Sequence, residues 1–89
     1  MKNLNLIVLT SQIKNVYTKY DKEVPIIKYL KFNKHFVLLV GYWEFYFDKI
    51  NDGYVLSNVI DTKYISDVNL QKIKSYIVCD ILNNGVLSI

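Results

Sequence analysis

The sequence predicts a small single α+β domain spanning residues 1–89. Its antiparallel β-sheet has three to five strands and a C-terminal amphipathic helix packed on one face, in the order β-α-β-β-β-α-β. Three observations carry that expectation. Residues 36–47, FVLLVGYWEFYF, are dense in aromatic and branched side chains, as in a strand that anchors a small core. Asn51-Asp52-Gly53 is the strongest turn signal in the chain, set between aromatic-rich runs. From Asp67 onward the apolar period becomes helical, with Leu70, Ile73, Ile77 and Ile81 on one stripe flanked by Tyr76 and Leu82.

At the start, Leu4 to Thr10 is an apolar run of strand length that stops at Ser11, whose hydroxyl is placed to cap a helix. Ile13, Val16, Tyr17 and Tyr20 then recur on one helical face, with Gln12, Lys14, Asn15 and Lys19 opposite. Asp21-Lys22-Glu23 ends this helix, because Pro25 pushes the residue before it into extended backbone. Ile26 to Phe32 fits either a helix opening on Pro25 or a strand. Its β-branched and aromatic content favours the strand, which Asn33-Lys34 turns into the run beginning at Phe36.

Read as one strand, residues 36–47 separate into two faces. Val37, Leu39, Gly41, Trp43, Phe45 and Phe47 form the expected core face, and Phe36, Leu38, Val40, Tyr42, Glu44 and Tyr46 the other. Gly41 then marks a mid-strand bulge or bend. Tyr54 to Asp61 returns antiparallel, in one of two registers a residue apart. Ser66 or Asp67 caps the last helix, Asn83-Asn84-Gly85 closes it, and Val86 to Ile89 forms a short edge strand.

Composition bounds the function. A content of 52% hydrophobic and 21% charged residues is globular usage, and eight tyrosines are more than so short a chain can bury completely. There is no Ala and no Arg, the vocabulary of an AT-rich genome, and all 11 basic residues are Lys. Lysine lacks the planar fork that reads guanine, so sequence-specific DNA recognition is disfavoured. A net charge of +3, spread along the chain, reads as a solvated surface. One cysteine allows no internal disulfide and suits a reducing cytoplasm. The apolar stretch Leu6 to Leu9 is too short for a signal-peptide core, and Phe36 to Trp43 is too short to cross a membrane, so no membrane association is expected.

No catalytic, cofactor or metal site is expected. His35 is the lone histidine and reads as a surface residue near a turn, while Cys79 reads as a buried, inert thiol among Ile77, Val78, Ile81 and Leu82. Glu44 and Asp48 share a strand face, and Asp61 faces Glu44 in one register, but acids that keep a sheet surface hydrated are commoner than an acid–base pair. The three glycines are too scattered for a phosphate loop.

Binding is the surviving class. Tyr42, Glu44 and Tyr46, with Tyr54 and Asn58 projecting from the hairpin partner, form a Tyr-rich surface of the kind protein interfaces favour. The expected role is a non-enzymatic protein-binding module. One form of that role is a phage or mobile-element accessory protein that blocks a host enzyme or a defence complex such as a CRISPR nuclease effector. The alternative is a small nucleic-acid-binding domain whose tyrosines stack bases while Lys28, Lys31, Lys34 and Lys49 follow the backbone. A homodimer that covers the tyrosines is a third way to use the same face.

Overall fold

The computed structural model describes residues 2–89 and has six strands and two helices around one apolar core. Strand β1 (Lys2–Asn5) leads into helix α1 (Leu6–Lys19), followed by β2 (Ile27–Lys31), β3 (His35–Val40), β4 (Trp43–Ile50) and β5 (Gly53–Asp61). Helix α2 (Val68–Tyr76) continues into a π-helical turn (Ile77–Ile81), and β6 (Gly85–Ser88) closes the chain. The sheet order is β1-β6-β5-β4-β3-β2, antiparallel except where β1 pairs with β6.

The α+β class and the helix near the C-terminus are as expected, but the sheet has six strands because the run at residues 36–47 is two strands, not one. Gly41 and Tyr42 are the two-residue turn between β3 and β4, with Val40 paired to Trp43. Gly41 has φ +59° and Tyr42 does not share the positive sign, the combination of a type II′ hairpin turn. Because two residues lie between the paired ends, even-numbered residues of β3 face odd-numbered residues of β4. Phe36, Leu38 and Val40 therefore join Phe47, Phe45 and Trp43 on the core side, and all six are almost fully buried. Val37 and Leu39, expected in the core, fall on the opposite side.

The helix begins earlier than Ser11. Asn5 caps it, its side-chain oxygen accepting from the amides of Ile7 (2.9 Å) and Val8 (3.3 Å), so Leu6 to Leu9 is the first helical turn and β1 is confined to residues 2–5. Leu9, Ile13, Val16 and Tyr17 form the buried stripe. This helix leaves one edge of the sheet and delivers the chain to the other. At 1.5 Å per residue its 14 residues run about 21 Å, close to the roughly 24 Å width of six strands. It thus spans the core side of the sheet.

Asp67 caps α2 through the amides of Asn69 and Leu70 and accepts a 2.6 Å ion pair from Lys22, which ties the loop after α1 to the second helix. Ile73, Ile77, Ile81 and Leu82 are buried. A stripe spaced by four drifts around a regular α-helix. The π turn, closed by Leu82 N–H to the Ile77 carbonyl at 2.9 Å, widens the helix enough to keep these residues facing the sheet. Cys79, expected buried, is exposed on the outer side of that turn. Strand β6, expected at an edge, lies inside the sheet between β1 and β5, where Leu87 pairs with both Leu4 and Tyr54. The indole N–H of Trp43 is buried without an acceptor among the described residues.

Candidate functional site: the open face of the sheet

The buried stripes of both helices join one core cluster on one side of the sheet, leaving the opposite side bare. The registers lay out this open face in rows. Lys28, Leu39, Glu44 and Ile60 form one row, and Leu30, Val37, Tyr46 and Asn58 the next. His35, Asp48 and Val55 form a third. A β-bulge at Ser57 resets β5, so that Asn58 and Ile60 face outward while Tyr54 and Leu56 face the core. The Ser57 hydroxyl fixes the bulge by donating to the Tyr46 carbonyl at 3.1 Å.

Of the residues expected to form a binding surface, Glu44, Tyr46 and Asn58 come together on this face. The Tyr46 hydroxyl donates to Glu44 Oε1 at 2.9 Å, and that bond to a carboxylate, with a smaller contribution from desolvation, raises the phenol above its usual pKa of 10.0. Tyr42 lies at the rim, in the hairpin turn, half exposed, with Lys63 Nζ 5.4 Å from its ring centroid. Tyr54 does not belong to the surface. It points into the core, 5% exposed, with its ring 5.9 Å from Phe36.

Around Tyr46 the face is more apolar than the sequence indicated. Val37 is 5% exposed although no helix covers it, while Leu30, Phe32 and Ile60 remain 40 to 52% exposed. Phe32, Val37, Tyr46 and Ile60 line a shallow depression of about 440 Å³, with His35 and Asp48 at its rim. His35 Nδ1 lies 3.4 Å from Asp48 Oδ1, both side chains exposed. These residues were hidden because a continuous strand assigns Val37 to the wrong side; the Gly-Tyr turn was the signal that would have found them.

The arrangement offers complementary apolar area and two carboxylates, each already engaged by a neighbour. Glu44 pairs in register with Ile60, not with Asp61, and Asp61 turns to Lys74 at 2.7 Å. His35 lies on the open face and Cys79 in the helical layer, so the sheet stands between them. No cluster of three metal-ligating side chains occurs among the described residues, and none of their helices is long and apolar enough to cross a membrane. A second cavity of about 390 Å³ lies between β1, α1 and the end of α2. Its polar lining, including Gln12, Asn15 and Asp80, is solvent-exposed. No family model, curated protein or solved structure matches this chain.

Proposed function

We propose that the protein is a non-enzymatic binding module that engages another protein through the open face of its sheet, centred on Tyr46, Val37, Ile60 and Phe32. The observation that carries this reading is the unequal covering of the sheet. Two helices bury one side, while the other keeps a contiguous group of exposed Leu, Phe, Tyr and Ile side chains ringed by charged ones. Such a group, rimmed by polar residues, is how interaction surfaces differ from ordinary solvent-facing sheet. Tyr46 is anchored by Glu44, so little rotamer freedom is lost when a partner covers it. A role in blocking a host enzyme or defence complex follows the same surface and the AT-rich vocabulary of the chain.

Nucleic acid fits the face less well. Glu44 and Asp48 flank its centre and repel phosphates. Of the lysines that would follow a backbone, Lys31 and Lys49 fall by register on the side away from Lys28.

The test is affinity capture from host-cell extract with the wild-type protein and with the double variant Tyr46→Ala, Ile60→Asp. A protein retained by the wild type and lost by the folded variant is the expected result. Equal recovery on both columns places the contact elsewhere and overturns the assignment. Gel-shift titration with single-stranded DNA and RNA at low ionic strength should show no complex.

A further inference from the structure

The sheet ends at β2, and that edge is built differently from the face. Phe32 N–H donates to the His35 carbonyl at 2.8 Å, which fixes the alternation of the β2–β3 ladder. Lys28 and Leu30, in step with Phe32, turn their backbone groups toward β3, and Ile27, Tyr29 and Lys31 turn theirs out of the sheet. This is a template for one more strand. Apolar side chains lie on both sides of it. Leu30 and Phe32 project on the open face. On the other side Ile27 and Tyr29 border a cavity of about 550 Å³ between β2 and α1, whose far wall includes Ile7, 81% exposed.

Charge decides what can occupy the edge. The charged side chains on β2 and on the facing wall of α1 are Lys28, Lys31 and Lys14, none with an ion-pair partner among the described residues. A second copy paired antiparallel about Tyr29 would set Lys28 diagonally across from its twin and gather six ammonium groups on one seam. Lysines on an edge strand resist that self-pairing. The order Ile27, Lys28, Tyr29, Leu30, Lys31 instead asks for apolar residues opposite Ile27, Tyr29 and Leu30, and for acids opposite the two lysines. Those acids stand three residues apart, so one falls on each face of the added strand.

We infer that β2 accepts an extended segment of a partner protein as a seventh strand. The segment is recognised by two acidic residues that flank two apolar ones. The inference rests on the binding-module reading and names the chemistry of the partner.

The probe is a nine-residue peptide with the core Glu-Val-Val-Glu between threonines, titrated into the isotopically labelled protein. Expected are saturable binding, protection of the Ile27, Tyr29 and Lys31 amides from exchange, and at least about tenfold weakening in high salt. Tyr29→Pro removes one outward N–H without touching the β3 ladder and should abolish binding. Tyr29→Ala loses the same ring but keeps the N–H, and should retain it. The Lys28→Glu, Lys31→Glu variant should prefer the peptide with lysines in place of the glutamates. The inference is overturned by absence of binding, by equal binding to the proline and alanine variants, or by equal affinity of wild type for the lysine peptide. A concentration-dependent dimer that Tyr29→Pro dissolves would assign the edge to a second copy. If the peptide fails while the Tyr46, Ile60 variant still loses its captured protein, the binding-module reading stands and the strand-addition inference alone is lost.

Discussion

The two sides of the β3–β4 hairpin are made by the same fourteen residues and the same ladder, yet they are used in opposite ways. On the helix side, Phe36 faces Phe47, Leu38 faces Phe45 and Val40 faces Trp43, each pair closed off from solvent. On the open side, Val37 faces Tyr46 and Leu39 faces Glu44, and the rows continue into Ile60 and Asn58. Adhesive surface is present on both sides. Only one side has a helix to spend it on, so stability is concentrated there, and the open side can change its chemistry at small cost to the fold.

The most severe way to break that contrast is to remove a core ring. Phe45→Ala, at a position with no exposure, should cost about 3–5 kcal/mol, a large fraction of what a domain this size has. Urea denaturation followed by tryptophan fluorescence measures it, and a loss below about 1 kcal/mol would mean that the core is not where the structure puts it. Next in size is the turn that makes the contrast possible. Gly41→Ala meets only ordinary contacts, Pro25 at 3.6 Å and the Tyr17 hydroxyl at 3.7 Å, so its cost is the positive-φ backbone of the turn alone, about 1–3 kcal/mol. A neutral Gly41→Ala would show that the hairpin tolerates another turn.

That turn also explains how much of the fold was legible. The helical stripes from Ile13 to Tyr17 and from Ile73 to Ile81, the strand at Ile27 to Lys31 and the place of the turn after β4 were readable because local chemistry and period agree there, although Gly53 pairs with Ile50 and leaves Asn51-Asp52 as the turn, in neither expected register. Gly41-Tyr42 was not, because unbroken aromatic and branched residues on both sides mask a turn that needs only one glycine. A continuous strand puts Val37 and Leu39 on the wrong side and so hides the apolar floor beside Tyr46. Tyr54 was misplaced for a related reason. The bulge at Ser57 sets the residues on either side of it out of phase, and no composition cue marks it. Leu6 to Leu9 shows the limit of a short apolar run, which suits a buried strand or a first helical turn until the cap at Asn5 is seen.

Titration offers a finer probe of the two layers. Asp67, between the helices, is held below its ordinary value of 3.8, first by the Lys22 bond and then by the amide of Leu70. A depressed folded pKa gives a contribution present in full above the unfolded value and lost as pH falls through the folded one. Asp67→Asn keeps a good cap and removes the charge, so the acid decline in melting temperature should flatten relative to wild type. At the alkaline end the sign reverses. Tyr17, pushed up by burial, and Tyr46, pushed up mainly by Glu44, both contribute stability below 10 that is lost as pH rises. Tyr17→Phe should remove more of that loss than Tyr46→Phe, because Tyr17 is shielded by the helical layer and Tyr46 faces water. The reverse order would mean that the open face is covered, as by a second copy.

The smallest expected effect tests the contrast most directly. Ile60 stands in the same strand as Val59, one residue away, but Val59 packs against the core and Ile60 is 40% exposed. Ile60→Thr keeps the β-branched shape that suits a strand and exchanges an ethyl group for a hydroxyl that water can reach. Stability should therefore change by no more than about 0.5 kcal/mol, as for surface positions generally. Val59→Thr puts a hydroxyl at a partly buried position packed against the core, where it should cost more, about 1 kcal/mol. The two substitutions lie one position apart on one strand and end in the same residue, and Ile60 loses one carbon more, so a larger loss of urea midpoint at Val59 reports the covering of the sheet. Equal losses at both positions would mean that Ile60 is already buried in solution, which would make the open face an occupied one.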